Sequence, residues 1–408
     1  MRDKQVAPAI VGLMLVALFL AACSRAAGTG TTSSTTSNTT AAPARTTVYS
    51  WGVVGFGVPQ AAKKAGLQFT APKTMSGITG TVIEIATSNS DSYALTSTGA
   101  VWAWGADSQG EVGDGKQTDF VKAPVEVKFP AGVAIASLPN PMPFNTGMAI
   151  DTHGNVWGWG YNRHDELCVK TAGLLLPTKL PLSDVTLATG AGAHALFYSR
   201  GKVYACGLNT DGELGDGKTA SVSVPTVVVG LPKGPVTALV SSWQGSGALM
   251  ADGVYYDWGF DKTGQLGDGR TTNSLVPLQV PLPAPVAQVS QGGLSGANGQ
   301  TLAILSSGSV WAWGNGEFGQ LGTGTRKNAL SPVKVAVPAG FTFTEVNAGG
   351  ATSYAIDSTG HLWAWGQNNL GQVGNGGRRS KEPAPVPIDV ALTQVSSTAN
   401  NVAGFFKG

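Results

Sequence analysis

The chain has 408 residues, room for two or three ordinary domains or one large repetitive one. Charged residues make up 12% of it and the net charge is +2, which excludes the basic field of a nucleic-acid binder and the acidic run of a solvating tail. With 57 glycines and little helical periodicity, Pro59 to Leu67 being the best short helix candidate, the composition points to a packed, turn-rich, all-β protein.

In chain order, the N-terminus comes first. Arg2 and Lys4 give a positive start, an apolar run extends from Val6 to Leu20, and LAAC (Leu20 to Cys23) closes it with small residues before a cysteine. This resembles a bacterial lipoprotein signal, which implies a signal peptide over residues 1–22, lipid on Cys23 and an extracytoplasmic, membrane-anchored location. A plain transmembrane anchor is the alternative, but the apolar stretch is short for a span and contains Pro8. Residues 24–47 contain almost no large apolar side chain and read as a flexible Thr/Ser/Ala-rich tether.

From Val48 onward the sequence repeats. VYSWG (Val48 to Gly52) returns as VWAWG (Val101 to Gly105), VWGWG (Val156 to Gly160), VYACG (Val203 to Gly207), VWAWG (Val310 to Gly314) and LWAWG (Leu362 to Gly366). The anchor position of the WG pair falls at Trp51, Trp104, Trp159, Cys206, Trp258, Trp313 and Trp365, steps of 47 to 55 residues. A unit of that size cannot bury its own faces, so seven anchors mean seven units packed on one another.

Each unit reads as four strands. In the last complete copy they are Phe341 to Gly349 (A), Ser353 to Asp357 (B), His361 to Gly366 (C) and Ala384 to Ile388 (D). The turn from B to C ends in glycine at Gly99, Gly154, Gly201, Gly253, Gly308 and Gly360, each five residues before its anchor, as a tight hairpin with positive φ requires. The opening VYSWG has no lead-in, while the chain ends on the A-like stretch Val390 to Ser397 followed by a B-like NVAGFFKG (Asn401 to Gly408). The two ends are therefore expected to share one closing blade, with its C strand supplied from the N-terminus.

The loops after the anchors read GADSQGEVGDG (Gly105 to Gly115), GLNTDGELGDG (Gly207 to Gly217), GFDKTGQLGDG (Gly259 to Gly269), GNGEFGQLGTG (Gly314 to Gly324) and GQNNLGQVGNG (Gly366 to Gly376). With the strand C words, the chain resembles the regulator of chromosome condensation repeat family over residues 48–408, which implies a seven-bladed β-propeller. Some copies depart from the pattern. Gly52 to Gln60 lacks the QLG element, Cys168 stands where other loops have glycine, and Cys206 stands where other anchors are tryptophan. Cys168 and Cys206 either form a disulfide between blades or are two separately buried thiols, since sequence does not supply their separation.

Signals for chemistry are sparse. GNGEFG (Gly314 to Gly319) fits a glycine-rich phosphate motif but is a repeat loop with no helix after it. His153, His164, His194 and His361 are scattered over three units, and Asp107, Asp211 and Asp261 read as turn-forming carboxylates rather than a calcium ring. No cofactor or metal is expected, and no residue set supports an enzyme. Ten of the eleven tryptophans occupy repeat positions, whereas Trp243 sits in an A-to-B loop. Strand parity puts A-to-B and C-to-D loops on one face, where Trp243, Met142, Phe144, Tyr161, Arg163, Phe260 and Phe318 are candidates for an aromatic binding surface. The leading expectation is a monomeric, non-catalytic binding module for a protein or envelope partner. The alternatives are a secreted enzyme inhibitor, which similar bacterial propellers include, and a propeller lyase or hydrolase. Nucleotide exchange on a nuclear GTPase, the family's founding activity, conflicts with the export signal.

Overall fold

The computed structural model describes residues 46–53, 68–89, 91–293, 299–377, 379, 381–398 and 401–407. The expected signal segment, Cys23, most of the expected tether, the candidate helix Pro59 to Leu67 and most of the first repeat loop lie outside them. The described strands form seven four-stranded antiparallel sheets, the blades of a ring. Blades one to six span residues 82–126, 135–179, 185–227, 236–279, 286–334 and 343–391, each in the order A, B, C, D. Strand A is innermost and strand D lies on the rim. The B-to-C glycines take the expected positive φ, from 73° at Gly154 to 90° at Gly360.

The seventh blade joins the two ends of the chain. Its strands A and B are Gln394–Thr398 and Asn401–Lys407, and strand C, Thr46–Val53, pairs antiparallel with strand B from Thr46↔Lys407 to Gly52↔Asn401. Gln68–Met75 completes it as strand D.

One contact recurs from blade to blade. The anchor indole on strand C packs against the loop glycine of the preceding blade, so that a Cβ on Gly113 would stand 2.9 Å from Trp159, on Gly215 2.7 Å from Trp258, on Gly267 2.8 Å from Trp313, on Gly322 2.7 Å from Trp365 and on Gly374 2.9 Å from Trp51. These glycines also have positive φ, between 63° and 84°. The indole N–H then donates to the carbonyl two residues before the glycine: Trp159 to Glu111 at 2.8 Å, Trp258 to Glu213 at 2.9 Å, Trp365 to Gln320 at 2.8 Å and Trp51 to Gln372 at 2.9 Å. Trp313 packs the same way on Gly267 with no acceptor for its N–H among the described residues.

The two cysteines occupy the two halves of this contact. Cys168 takes the glycine's place with φ 56°, Cys206 takes the indole's, and a disulfide joins them with Cα atoms 5.4 Å apart. The Cys206 sulfur lies 3.5 Å from the Glu166 carbonyl, where an indole N–H sits in other blades. A covalent bond thus replaces the tryptophan–glycine contact between blades two and three.

Strand A supplies an inner ring of bonds. A strand A side chain reaches the next blade at or beside its strand A: Glu84 accepts from the Leu138 amide at 3.0 Å, Gln288 from Val346 at 2.7 Å, Glu345 from Val395 at 2.8 Å and Gln394 from Ile85 at 2.7 Å. On the rim, every strand D carries proline (Pro72, Pro124, Pro177, Pro225, Pro277, Pro332 and, in blade six, Pro383, Pro385 and Pro387). Proline removes an edge N–H, so no rim strand offers an unbroken row of donors to another chain.

Two outcomes follow from the inter-blade contacts. Gly215→Ala forces a methyl group into the Trp258 indole at a positive φ, and is expected to cost about 2 kcal/mol or more in chemical denaturation, whereas the same change at exposed Gly376, with nothing within 4 Å, costs about 1 kcal/mol. In a Cys23→Ser chain unfolded without reductant, thiol titration is expected to find no free sulfhydryl, and two after reduction. Two thiols before reduction would contradict the bridge.

Candidate functional site

The second blade departs from the others at its inner edge. Its strand A is three residues long, Ile135–Ser137, and strand B begins at Thr146. The intervening segment turns inward across the ring. The Met142 amide donates to the Thr87 carbonyl of blade one at 3.2 Å, the Gly190 amide of blade three to the Pro141 carbonyl at 3.0 Å, the Phe144 amide to the Gly192 carbonyl at 2.8 Å, and the Ser396 hydroxyl of blade seven to the Asn140 side-chain oxygen at 2.7 Å. Bonds to blades one, three and seven make residues 138–145 a stopper at the mouth of the central channel.

Beside this stopper is a depression of about 370 Å³, open mouth included, to which all seven blades contribute: Asn89, Met142 and Phe144, Gly192, Trp243, Gln291, Gly349 and Thr398 in turn. Among the described residues no charged side chain lines it. Phe144 and Trp243 meet edge to face with ring centroids 5.2 Å apart, Tyr161 stands 6.3 Å from Phe144, and exposed His164 lies 6.1 Å beyond Tyr161. Trp243, Phe144 and Tyr161 are all half-buried. A second, smaller depression of about 210 Å³, open mouth included, shares Ser242, Trp243 and Gly293 with the first and adds Gln244, Phe260, Gln265 and Gly299. Trp243 from an A-to-B loop and Phe260 from a C-to-D loop thus share one face.

Of the residues singled out from sequence, Trp243, Phe144, Tyr161 and Phe260 come together on this face. Met142 does not join them as a surface anchor. It is 1% exposed, packs in the core between blades one and two, and accepts the Met148 amide on its sulfur at 3.4 Å. The reason is the inward turn of its segment, for which no repeat position gave warning. Arg163 is exposed, and Phe318 lies under the Lys381 ammonium of the next blade, 5.0 Å from the ring centroid. Gln291 was missed. It is 3% exposed, its amide N–H donates to Asp257 at 2.7 Å, and its Oε1 has no hydrogen-bond partner among the described residues.

The remaining titratable groups are structural. His153, His164 and His361 are exposed, while His194 begins strand B of blade three, buried, with Nε2 2.9 Å from the Ser246 hydroxyl; burial pushes its pKa down to about 4. Asp107 and Asp261 accept the amides of Val112 and Leu266 within their loops, and Asp211 accepts from Gln244 and Asn273. Among the described residues no three His, Cys, Asp or Glu side chains gather as metal ligands.

Glu111, Glu166 and Glu213 occupy one repeat position, held by Gln265, Gln320 and Gln372 in other blades. Each accepts the amide two residues earlier, at 2.6, 2.9 and 2.8 Å, and its other oxygen is buried with no partner among the described residues. Burial pushes all three carboxyls up to about 7. On strand A it raises Glu84 to about 7 and Glu345 to about 8. The folded chain then holds protons that the unfolded chain releases near 4.5, so this contribution to stability is full below pH 4.5 and is lost as pH rises through 7. His194 acts in the opposite sense, lost as pH falls from 6.5 towards 4. The difference between wild type and Glu213→Gln isolates the first effect. At pH 8 the variant is expected to be more stable by about 1 kcal/mol or more, and at pH 4.5 the gain disappears, as read from denaturation midpoints.

The model of the Regulator of chromosome condensation (RCC1) repeat matches residues 200–249, 252–295, 307–356 and 359–403. The chain is 28% identical over 313 residues to the Arabidopsis thaliana "Ultraviolet-B receptor UVR8", covering 75% of this chain and 70% of that one. It is also 28% identical over 300 residues to the human "E3 ubiquitin-protein ligase HERC2", of which the match covers 6%. Similar solved structures include human WBSCR16, with a TM-score of 0.77 at 20% identity over 89% of this chain and 99% of that one, and Prp20p from Saccharomyces cerevisiae, with 0.74 at 19% over 88% and 91%. Four stretches of the seven-bladed propeller match this repeat model.

Proposed function

We propose that the chain is a non-catalytic binding module, held outside the cytoplasm by lipid on Cys23, which offers the channel-mouth face of its propeller to a protein partner. The observation that carries this reading is the uncharged, aromatic mouth around Trp243, to which every blade contributes. An interface uses such half-buried aromatic anchors, and blade packing gives no reason for an indole at this position. Glu84, Glu111, Glu166, Glu213 and Glu345 each accept a backbone amide in a loop or between blades, and among the described residues no acidic or basic side chain lines the mouth. The Cys168–Cys206 bridge fits an oxidising compartment, as does the N-terminal lipoprotein pattern. Among proteins of similar fold, Prp20p binds Gsp1p and histones, which makes protein binding a use this architecture admits.

The test is capture of envelope and secreted proteins by the full chain, comparing wild type with two variants. Trp243→Ala is expected to weaken the captured partner's binding about 30-fold or more, and Arg163→Ala little, with both variants folded by circular dichroism. A folded Trp243→Ala chain that binds as tightly as wild type would remove this face from consideration.

A further inference from the structure

The junction between blades two and three departs from the repeat at a third position besides the two cysteines. That position is Phe197. Two residues along strand B from the partner of each anchor, on the same face of the sheet, the other blades have Ala94, Ala149, Ala248, Ala303, Ala355 and Gly404. Blade three has Phe197, fully buried in one cluster with Cys168 and Cys206. A cysteine in place of an indole leaves most of a ring's volume to be filled, and a phenyl ring beside it fills that volume. The three residues are thus a single exchange.

This exchange decides how the junction is held. On the turn face it keeps a bond common to other junctions, the Val185 amide donating to the Gly154 carbonyl at 3.0 Å as Ile135 does to Gly99 at 3.2 Å. On the loop face, among the described residues, it has no indole on a glycine, and no side-chain bond joins strand A of blade two to strand A of blade three. Apolar packing aside, the bridge and the stopper span it there, the stopper through the Gly190–Pro141 and Phe144–Gly192 backbone bonds. These two are linked to each other. Cys168 sits in a loop braced by Asn162, whose side chain donates to the Val169 and Thr171 carbonyls and accepts the Leu167 amide, each at 2.8 Å. The loop starts at Tyr161, whose amide donates to the Asn145 carbonyl of the stopper at 3.0 Å and whose carbonyl accepts the Thr146 hydroxyl at 2.8 Å. Moving the loop away from blade three therefore pulls on the stopper.

We infer that Cys168, Phe197 and Cys206 form a redox-controlled clasp on the loop face: a dithiol that reduces the bridge opens the junction between blades two and three and loosens residues 138–145 and 160–173. The dithiol supplies two electrons and two protons, so the sulfur–sulfur bond breaks, each cysteine ends as a thiol, and the dithiol closes to its own disulfide. Both cysteines are buried, so the attack needs the blades to part first. The turn-face bond serves as the hinge.

The test takes the full-length Cys23→Ser chain, unfolded in dithiothreitol and refolded either with that dithiol or with oxidised glutathione in its place. The reduced chain is expected to melt several degrees lower, with amide exchange about tenfold faster or more in residues 138–145 and 160–173 and unchanged in blades five and six. In Cys168→Gly/Phe197→Ala/Cys206→Trp, which restores glycine, small residue and indole together, melting and exchange are expected to be the same with and without dithiothreitol. Cys168→Gly/Cys206→Trp, which keeps the phenyl ring, is expected to melt several degrees below the triple variant because the site is overfilled. A lower melting temperature of the reduced chain without faster exchange in the two segments would mean that the bridge acts only on the unfolded chain, and would overturn the inference. A triple variant no more stable than the double would overturn it too. If the reduced chain does not refold, the triple variant decides: refolding in dithiothreitol supports the clasp, and failure to refold there removes it. Stability and exchange are read without any partner, so the binding role is not at stake in the result.

Discussion

The propeller depends on a contact in which the indole of one blade rests on the loop glycine of the blade before. A side chain at the glycine would overlap the ring, and a smaller group at the indole would leave a cavity between two sheets, so both residue types are fixed together. The contact also crosses the seam. Trp51, from the N-terminal strand, sits on Gly374 of blade six and donates to Gln372, so the end of the chain that completes the seventh blade is held by the same device as the junctions onto blades two, four, five and six. Where blade three lacks the indole, a disulfide takes over both its place and its role.

The same loop explains the Glu/Gln choice before the glycine. The backbone carbonyl of that residue receives the indole N–H while its side chain folds back on an amide two residues earlier, so one residue shapes the loop and presents the acceptor. Glutamine does this without charge. It also gains a second bond where Gln320 donates to Asn315 at 2.7 Å, whereas a glutamate there keeps a buried oxygen unpaired and prefers to remain protonated. The inner ring repeats the theme, with Gln288 and Gln394 making the bond that Glu84 and Glu345 make as raised acids.

Much of this fold is legible in the sequence because repetition turns seven weak patterns into one strong one. The anchor spacing yields seven blades, the glycines yield the B-to-C hairpins, and the orphaned VYSWG yields the closing blade, all of which the structure contains. The period aligns equivalent positions, but it does not say which position of one copy touches which position of the next. Cys168 and Cys206 were therefore visible as departures at a glycine and a tryptophan site, while their adjacency needed the indole-on-glycine contact to be known. Met142 failed for another reason. Its segment has no counterpart in other copies, and loop residues without a repeat pattern read as surface when here they turn into the channel.

The location of the binding face follows from how the other surfaces are closed. The rim is broken by proline in every outer strand, which blocks pairing by strand addition although Val224 and Leu176 are exposed there. The B-to-C side consists of short glycine turns with little room for side-chain variety. Residues 138–145 fill the channel mouth on the remaining side, and the cost of diverting strand A of blade two is offset by bonds to three other blades. That diversion places Phe144 against Trp243, so the stopper that closes the axis also builds one wall of the proposed site. Closing the channel and forming the aromatic surface are then one structural event, and any change that withdraws the stopper removes the site with it.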